Sequence, residues 1–428
     1  MNAPLVSSDT SPLLSLSPSN LKALQPIIVG DFMRPFPGQN QASSGMQNGI
    51  TRNLFNWLEP ALLHTFKQAP VTAIWDDEDV DSIPVAQIYA AYDMDPATVA
   101  WTQLYRTKPR ADVVDLLRPL FEGRFAIGFE LSPFQRAALD ALGVPYVSLA
   151  IHPLRFMQDY KFMVSTNIGE LTALLPFAHT HEQISFAAQL RRAELRAKLP
   201  LVLEDGAAVL FGQVEIDAAL IGARGIISLQ DHIGKVSDLC KRFEKVYFKP
   251  HPYGGNGQDQ ARILAQFDNL HFVTHNPYAL LAAPQIEAVA ALTSSILTEA
   301  PFFGKRAHAL SDIWQDRSEE PTYGIEVLSP EFWKTLLACA HADASSGILV
   351  LPSAPLTDVT VKSLLNVSWE THGASPVPDS GVKIVLDNEM AFGKGQSADG
   401  MRRGGGWKAP SGDHCWAGPK GAFLSFRL

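Results

Sequence analysis

The 428-residue sequence contains only three cysteines, Cys240, Cys339 and Cys415, which are far apart and odd in number. This spacing offers neither a disulfide framework nor a cysteine metal site, so we expect a reducing, cytoplasmic environment. The sequence also lacks an apolar run long enough to span a membrane, and it lacks a basic segment followed by an apolar one as in signal peptides. We therefore expect a soluble protein, or at most one that is peripheral at a membrane.

Positive charge is also in deficit. Lys and Arg number 35 against 44 Asp and Glu, which gives a net charge of −9 and a pI near 5.7. A general nucleic-acid-binding protein would show a basic surface, so nucleic acid is not an expected partner. Hydrophobic residues make up 46% of the chain, which is enough for ordinary cores in the two or three domains that this length suggests.

Short apolar segments alternate with segments of helical spacing, which predicts an α/β fold with parallel sheets. The first apolar segment, Pro26–Gly30, is not followed by the G-x-G-x-x-G fingerprint of dinucleotide-binding proteins, so we predict no such cofactor there. We predict a loose tail over residues 1–25 and two α/β domains over 26–198 and 199–345. The Gly-rich, aromatic residues 346–428 indicate a small β-sandwich.

The segment Val246–Gly254 combines a predicted strand with two prolines that end it, Pro250 and Pro252. Lys249 and His251 are thereby expected at the carboxyl end of a strand, where open α/β sheets bind ligands. A Lys and a His there form a cationic pair suited to a phosphate. The plain alternative is a proline turn with a solvated lysine.

Two further segments have polar residues directly after a predicted strand. Gln213 and Asp217 follow the first, and a helical segment would place both on one face. A carboxylate there can act as a nucleophile on a sugar carbon, or it can simply begin a helix. Ser294 and Ser295 follow the second, where hydroxyls and free amides at a helix start suit an anion, or where one serine merely caps the helix.

Together these elements resemble the bacterial capsule Kdo transferases, which move 3-deoxy-manno-octulosonic acid (Kdo) from its CMP-activated form. The resemblance lies in Gln213-x-x-x-Asp217, Lys249-Pro250-His251-Pro252, Thr293-Ser294-Ser295 with Glu299-Ala300, and Gly304-Lys305, in that order. The segment from Ile151 to Asp159, which includes His152-Pro153-Leu154-Arg155, also looks like the family. The similarity covers about residues 120 to 310.

The resemblance implies a GT-B fold, in which two Rossmann-like domains face a cleft. It implies an acceptor domain over 26–198, a CMP-binding domain over 199–345, and transfer with retention of configuration. Asp217 would be the nucleophile, and Gln213 would orient it. Lys249, His251, Ser294 and Ser295 would hold the CMP phosphate, and Glu299 would contact the cytidine ribose.

The same resemblance implies a nucleotide-sugar donor, an oligosaccharide or lipid-linked glycan acceptor, and a cytoplasmic enzyme that is free or peripheral at the inner membrane. It implies no metal and no cofactor. Glu130, at the end of a predicted strand in the first domain, could serve as an acceptor-side base or be a surface acid. Leu297-Thr298 replace the glycine and aromatic that the family shows before Glu299, so the shape of the donor pocket departs from the family pattern.

Two other interpretations stay open. A CMP-sialic acid polysialyltransferase would use an acidic-acidic-Gly element, a His-Pro and a serine pair, which Glu204-Asp205-Gly206, His251-Pro252 and Ser294-Ser295 would supply. Alternatively, the chain is an inactive glycan-binding protein whose C-terminal module stacks Trp407 and Trp416 on sugar rings, although such aromatics are more often core residues.

Overall fold

The computed structural model describes residues 14, 16–34, 45–75, 81–214, 217–223, 225–251, 262–340, 413–417 and 423–427. The described residues form two compact α/β units, each with its own sheet. The predicted α/β class with two Rossmann-like domains is therefore confirmed.

The sheet of unit 1 has six strands: β1 (Gln25–Val29), β2 (Val71–Trp75), β3 (Asp81–Ile83), β4 (Arg124–Phe129), β5 (Tyr146–Ile151) and β6 (Phe162–Thr166). Their order in the sheet is β3-β2-β1-β4-β5-β6. All neighbouring pairs are parallel except β5 and β6. Strand β1 lies in the interior of the sheet, with β2 and β3 on one side of it and β4 to β6 on the other.

Helices connect these strands and bury their apolar sides against the sheet. Local signals fix the ends of the helix Pro133–Leu142: Ser132 and Gln135 form a capping box at its start, and Gly143 ends it with a φ of 67°. The helices are α1 (Pro18–Ala23), α2 (Gly45–Thr65), α3 (Val85–Ala90), α4 (Thr98–Leu104), α5 (Ala111–Phe121) and α6 (Pro133–Leu142), with a 3-10 helix at Leu171–Phe177.

Helix α7 (His181–Lys198) begins in unit 1, and from Ile184 onward it belongs to unit 2. The strands of unit 2 are β7 (Ala207–Phe211), β8 (Ile221–Gly222), β9 (Gly225–Ile226), β10 (Val246–Lys249), β11 (Leu270–Phe272), β12 (Ile286–Ala291) and β13 (Arg306–Ala309). Five of them form the main, parallel sheet in the order β11-β10-β7-β12-β13, and β8 and β9 form a short antiparallel pair.

Every residue of β7 is buried, as expected of the central strand of a sheet covered on both faces. The helices of this unit are α8 (Ile233–Arg242), α9 (Pro277–Ala282) and α10 (Ile296–Glu299), with 3-10 helices at Ala218–Leu220, Gln230–His232 and Ala300–Phe303.

Two predicted helices differ from the structure, and proline is the reason in both. The sequence alone predicts a helix over Ala111–Arg118 that Pro119 ends, but α5 continues to Phe121, because a proline in the last turn removes only one hydrogen bond. The sequence also predicts one helix over Ile296–Gly304, but the segment is α-helical only to Glu299, and the part containing Pro301 is a 3-10 helix.

The division into units also differs from the expected boundary between Lys198 and Leu199. Unit 2 includes Pro153–Gln158 and begins again at Ile184, because the buried Leu154, Phe156, Ile184 and Ala188 belong to its core. The chain returns to unit 1 at Glu319, and this part of unit 1 includes a 3-10 helix (Ile325–Leu328) and α11 (Pro330–Ala338).

The predicted C-terminal module lies largely outside the described residues. Within 413–417 and 423–427 the structure has one antiparallel pair, β14 (Asp413–Ala417) and β15 (Phe423–Arg427). The strands expected over 359–367 and 382–386 and the side chains of Trp407 and Trp416 are not described, nor is most of the expected N-terminal tail. Within the described ranges, no helix combines the length and the apolar character needed to cross a membrane.

Candidate functional site

The order of strands in unit 2 identifies the place where a ligand would bind. Strand β7 is central, with β10 on one side and β12 on the other. In open α/β sheets, ligands bind outside the carboxyl ends of the strands at the point where the strand order reverses, which here lies between β7 and β12. The residues that follow β7, β10 and β12 therefore form the candidate site.

Gln213 joins the segments that follow β7 and β12. Its side-chain Oε1 accepts a hydrogen bond from the backbone amide of Thr293 at 2.7 Å, and its Nε2 donates to Thr293 Oγ1 at 3.0 Å. Both polar atoms of the Gln213 amide are thus used on one residue of the Thr-Ser-Ser element. The Gln213 element and the Thr293-Ser294-Ser295 element of the predicted site therefore meet through a pair of hydrogen bonds.

Gly212 allows the segment after β10 to approach just as closely. Its amide donates to the Lys249 carbonyl at 2.8 Å. A Cβ at this position would lie 3.3 Å from the backbone nitrogen of His251 and 3.4 Å from Phe248 Cζ. A Cβ there would require the His251 backbone to shift by a few tenths of an ångström, so the close approach of the two loops favours glycine.

Asp217 begins the 3-10 helix Ala218–Leu220, and its Oδ1 accepts a hydrogen bond from the Ala219 amide at 2.9 Å. The expected α-helical segment that would carry Gln213 and Asp217 on one face is not seen in the described residues, since 212–214 are irregular. The plainer alternative, a carboxylate that begins a helix, is present. Asp217 is partly exposed, and its negative charge acts on His251, where it opposes the lowering of the His251 pKa that burial causes.

The expected cationic pair of Lys249 and His251 needs correction. The pKa of His251 is lowered to about 4, mainly by burial and to a smaller extent by the positive charges of Arg155 and Lys249, against the opposing effect of Asp217. Burial also lowers the pKa of Lys249, but only to about 8. At neutral pH without a ligand, Lys249 is therefore mainly protonated and His251 is neutral.

Arg155 is a site residue to which the sequence analysis gave no role. It belongs to unit 2 through the segment Pro153–Gln158, and its charge acts on His251. Its only sequence signal was the run His152-Pro153-Leu154-Arg155 after a predicted strand. With Lys249, it supplies the positive charge that the neutral His251 does not.

Glu299 holds the segment that carries Arg155. Its Oε1 accepts hydrogen bonds from the amides of Arg155 at 2.7 Å and Phe156 at 2.9 Å, and from the Tyr278 hydroxyl at 3.0 Å. The side chain is 1% exposed, and burial raises its pKa to about 7. In this structure the carboxyl is therefore engaged with the protein, and its expected contact with a ribose stays a prediction.

Ser294 and Ser295 lie where α10 begins, next to Thr293. Ser294 Oγ accepts a long hydrogen bond of 3.4 Å from the Ile296 amide, and Ser295 occupies the N-cap position without a side-chain cap bond. The structure thus brings the serine pair to the same sheet edge as Gln213, while its role in phosphate binding stays a prediction.

Glu130 belongs to unit 1, whereas the residues described above belong to unit 2. It follows β4 directly, its side chain is exposed, and its backbone has a φ of 52°, which is in the left-handed region. Non-glycine residues in this region carry strain of about 1 kcal/mol or more. Its predicted role as an acceptor-side base is not tested by this position and stays a prediction.

Within the described ranges, no group of three or more His, Cys, Asp or Glu side chains is arranged to hold a metal ion. The site chemistry that these residues can supply is a carboxylate beside a positively charged, hydrogen-bonding surface. This combination suits a ligand in which an electrophilic carbon is attached to a phosphate.

Comparisons with known proteins add similarity but no family assignment. No family model matches the chain, and no curated protein sequence matches it. Among solved structures, the chain is similar to the KpsC β-Kdo 2,7 transferase of Thermosulfurimonas dismutans, with 17% identity, a TM-score of 0.32, and coverage of 60% of this chain and 88% of that one.

Two further structures are similar at the same level. The KpsC β-Kdo 2,4 transferase of the same organism has 14% identity and a TM-score of 0.29, over 51% of this chain and 80% of that one. UDP-GlcNAc 2-epimerase from Neisseria meningitidis has 10% identity and a TM-score of 0.29, over 74% and 95%. Because these scores are low, the fold assignment above rests on strand order and pairing alone.

Proposed function

We propose that the chain is a glycosyltransferase of bacterial surface polysaccharide biosynthesis that moves Kdo from CMP-β-Kdo to a glycan acceptor with retention of configuration. The observation that carries the proposal is the meeting of three loops at the strand-order reversal of unit 2. These loops supply Asp217, the Lys249–His251 pair, and Thr293 with its hydrogen bonds to Gln213. The acceptor, cytoplasmic location and any peripheral attachment to the inner membrane belong to the same proposal.

In the first step, a carboxylate oxygen of Asp217 attacks the anomeric carbon of the sugar. The bond from that carbon to the phosphate oxygen breaks, and its electron pair leaves with CMP. Lys249 and Arg155 supply positive charge for the leaving phosphate, and Lys249 remains mainly protonated at neutral pH. His251 is neutral beforehand and can donate a hydrogen bond to the phosphate or take up a proton beside it.

In the second step, an acceptor hydroxyl oxygen attacks the same carbon and its proton passes to a base. The bond to Asp217 breaks and the carboxylate is restored. Two inversions at one carbon give net retention. Gln213, held by Thr293, keeps the start of the Asp217 segment in place throughout.

The position of Glu204-Asp205-Gly206 bears on the sialyltransferase alternative. These residues precede β7 at the amino ends of the parallel strands, whereas His251 and Ser294 follow β10 and β12 at their carboxyl ends. The five residues of β7 separate these two ends by about 16 Å. The elements that a sialyltransferase would need together thus lie apart, which favours the Kdo proposal.

A donor screen tests the proposal. Purified protein is offered CMP-Kdo, CMP-sialic acid, and UDP- and GDP-sugars, and release of the nucleotide is measured. We expect turnover of CMP-Kdo, loss of turnover in Asp217→Asn, and normal turnover in Asp205→Asn, an exposed acid at the other sheet edge. Preference for CMP-sialic acid with loss of activity in Asp205→Asn would support the alternative instead.

A further inference from the structure

Unit 2 has an apolar cleft at the amino ends of its parallel strands, whereas the candidate site lies at their carboxyl ends. The cleft is bounded by the end of α7 with the segment after it, and by α9 with the segment that leads into β12. Its buried floor includes Leu195, Ala279, Ala282 and Ala283, and its exposed rim includes Arg196, Pro200 and Pro284. A ligand in this cleft therefore leaves the candidate site open.

The cleft is narrow and mostly apolar. Its volume is about 260 Å³, which is below the roughly 300 Å³ at which pockets for drug-sized ligands begin. Among its described lining residues, only Arg196 and Gln285 are polar. Gln285 Oε1 is buried and has no hydrogen-bond partner within the described ranges. The cleft thus suits a slender hydrocarbon chain that is attached to a polar group with a hydrogen-bond donor.

Backbone carbonyls of the lining hold two cations beside the cleft. Arg196 Nε donates to the Ala282 carbonyl at 2.6 Å, and Lys305 Nζ donates to the Ala283 carbonyl at 2.7 Å. Burial lowers the pKa of Lys305 to about 8, and the charges of Arg196 and Arg192 act in the same direction to a smaller extent. Lys305 is therefore mainly protonated at neutral pH.

Arg192 brings a third positive charge to the same place. A Cβ on Gly304, the residue before Lys305, would lie 3.7 Å from Arg192 Nη1. Among the residues that the structure describes, no carboxylate forms an ion pair with Arg192, Arg196 or Lys305, and Glu194 of the same helix pairs with two other cations instead. This basic cluster of Arg192, Arg196 and Lys305 suits an anion such as a phosphate.

Helix α7 also exposes two large apolar side chains. Phe186 is 67% exposed and Leu190 is 60% exposed, and their spacing of four residues places them on one face of the helix. The buried Ile184, Ala188 and Leu195, which attach the helix to the core, lie on the opposite face. An exposed apolar face on a helix that carries basic residues is typical of helices that lie on a membrane surface.

Charge and area favour a lipid surface over a second copy of this chain. A symmetric pair of helices would bring two basic clusters towards each other, and like charges repel. Two protruding side chains also fall short of the about 800 Å² per partner that a stable protein interface buries. Anionic phospholipids supply negative charge to the basic cluster and need no large complementary surface.

We propose that unit 2 binds an anionic phospholipid of a membrane surface, with an acyl chain in the cleft and the phosphate at the basic cluster. Phe186 and Leu190 enter the surrounding lipid, and Gln285 Oε1 accepts a hydrogen bond from a headgroup hydroxyl. The proposal deepens the proposed function, on which it rests for the membrane-attached glycan acceptor that brings the enzyme to a lipid surface.

Sedimentation of the full-length protein with lipid vesicles tests the proposal. We expect binding to vesicles of equal parts phosphatidylcholine and phosphatidylglycerol, and no binding to phosphatidylcholine alone. Arg192→Gln combined with Arg196→Gln should weaken the binding by about 25-fold, because each basic residue near an anionic surface contributes a factor of about five. Phe186→Ser combined with Leu190→Ser should weaken it by about tenfold or more, because apolar surface no longer enters the lipid.

Two soluble ligands test the cleft itself. Titration calorimetry compares a short-chain phosphatidylglycerol, used below its micelle concentration, with glycerol phosphate. We expect the short-chain lipid to bind at least about tenfold more tightly, since glycerol phosphate lacks the chain that fills the cleft. Equal affinities would show an anion site without a lipid chain and would overturn the assignment of the cleft.

Val99→Ser and Lys241→Gln are the matched controls for the vesicle experiment. Val99 is an apolar residue of unit 1 that is 68% exposed, and Lys241 is an exposed cation on α8. Both variants should bind vesicles as wild type does.

Three results of the vesicle experiment would each overturn the proposal: no binding to anionic vesicles, equal binding to neutral vesicles, or wild-type binding in both double variants. A lipid-free dimer that Phe186→Ser with Leu190→Ser converts into a monomer would also overturn it, and would assign the exposed face of α7 to a second copy. CMP binding is measured without vesicles, because its absence would contradict the proposed function while leaving the vesicle result to decide on the lipid.

Discussion

Lys249, His251 and Arg155 show how burial selects which side chains carry charge in the candidate site of unit 2. Lysine has so high an ordinary pKa that a decrease to about 8 leaves it mainly protonated at neutral pH. Histidine starts at 6.5, so a decrease to about 4 leaves it neutral. Phosphate binding in this site should therefore depend first on Lys249, and on His251 as a hydrogen-bonding group.

This difference gives a prediction for CMP affinity. At pH 7.5 we expect Lys249→Ala to weaken CMP binding by about 10- to 100-fold, because a charged hydrogen bond contributes about 1.5–3 kcal/mol. His251→Ala should weaken it by a smaller factor, since a neutral partner is lost. Isothermal titration calorimetry measures both, with the exposed Lys241→Ala on α8 as the control. Unchanged affinity in Lys249→Ala would contradict the assignment.

Asp31 gives a prediction for stability and pH. Its folded pKa of about 7 lies above the ordinary 3.8, so the folded state retains a proton that the unfolded state has lost between these values. The contribution of Asp31 to the free energy of unfolding is therefore fully present below pH 3.8 and is lost as the pH rises to about 7. Denaturant unfolding measures the difference in the free energy of unfolding between Asp31→Asn and wild type. From pH 5 to pH 8 this difference should increase by about 2–3 kcal/mol in favour of Asp31→Asn.

The control is Glu122→Gln, an exposed acid before β4, which should show no such increase in the free energy of unfolding. A difference between Asp31→Asn and wild type that is the same at both pH values would contradict the burial of an ionising carboxyl. If the gain is found, the molecule retains a destabilising acid at the sheet edge, which is expected of a functional residue.

At the scale of secondary structure elements, local signals explain what could be predicted. The strand Val246–Phe248 was visible because β-branched and aromatic residues precede two prolines, and α6 was visible because Ser132 and Gly143 mark its ends. Helix α5 was cut short in the prediction because Pro119 looks the same in sequence whether it ends a helix or lies in its last turn.

Contacts distant in sequence could not be predicted in this way. Glu299 accepts a hydrogen bond from the Arg155 amide although the two residues are 144 positions apart in the sequence, and no local pattern predicts that contact. Asp31 was passed over because its importance depends on β4 lying beside β1, which only the strand order reveals. The Gln213–Thr293 hydrogen bonds likewise depend on β7 and β12 meeting at the strand-order reversal.

The hydrogen bonds between Gln213 and Thr293 lead to a prediction for stability and turnover. Gln213→Ala removes two hydrogen bonds between the segments that follow β7 and β12 and leaves the Thr293 amide without its partner. We expect a loss of about 2 kcal/mol in the free energy of unfolding and a fall in CMP-sugar turnover of tenfold or more. The exposed Gln230→Ala should change neither quantity. Normal turnover in Gln213→Ala would show that this link does not organise the site.

At the scale of the whole molecule, each unit is built from separated parts of the sequence. Unit 1 includes α11, whose buried Phe332 and Trp333 follow the last strand of unit 2's main sheet in the chain. The sequence showed the apolar spacing of this helix, but it placed the helix in the second domain, because spacing alone does not tell which core a helix joins.

This arrangement predicts which unit a mutation in α11 destabilises. Trp333 is fully buried and its Nε1 donates to the Val327 carbonyl at 2.8 Å. Trp333→Ala should cost about 3–5 kcal/mol in unit 1 and leave CMP binding by unit 2 in place under native conditions. Hydrogen exchange measured by mass spectrometry locates the loss, with the exposed Val202→Ala as control. Loss of protection in β7, β10 and β12 instead would contradict the division into units.

In the proposed reaction, the carboxylate of Asp217 takes the sugar while the neighbouring loops hold the cytidylate phosphate. Mass spectrometry of the intact protein and its peptides, after incubation with CMP-Kdo in the absence of acceptor, detects this sugar adduct. We predict a mass increase of one sugar residue on the peptide that contains Asp217, present in Asp205→Asn and absent in Asp217→Asn. A sugar adduct on a different peptide, or full turnover by Asp217→Asn, would contradict this reaction.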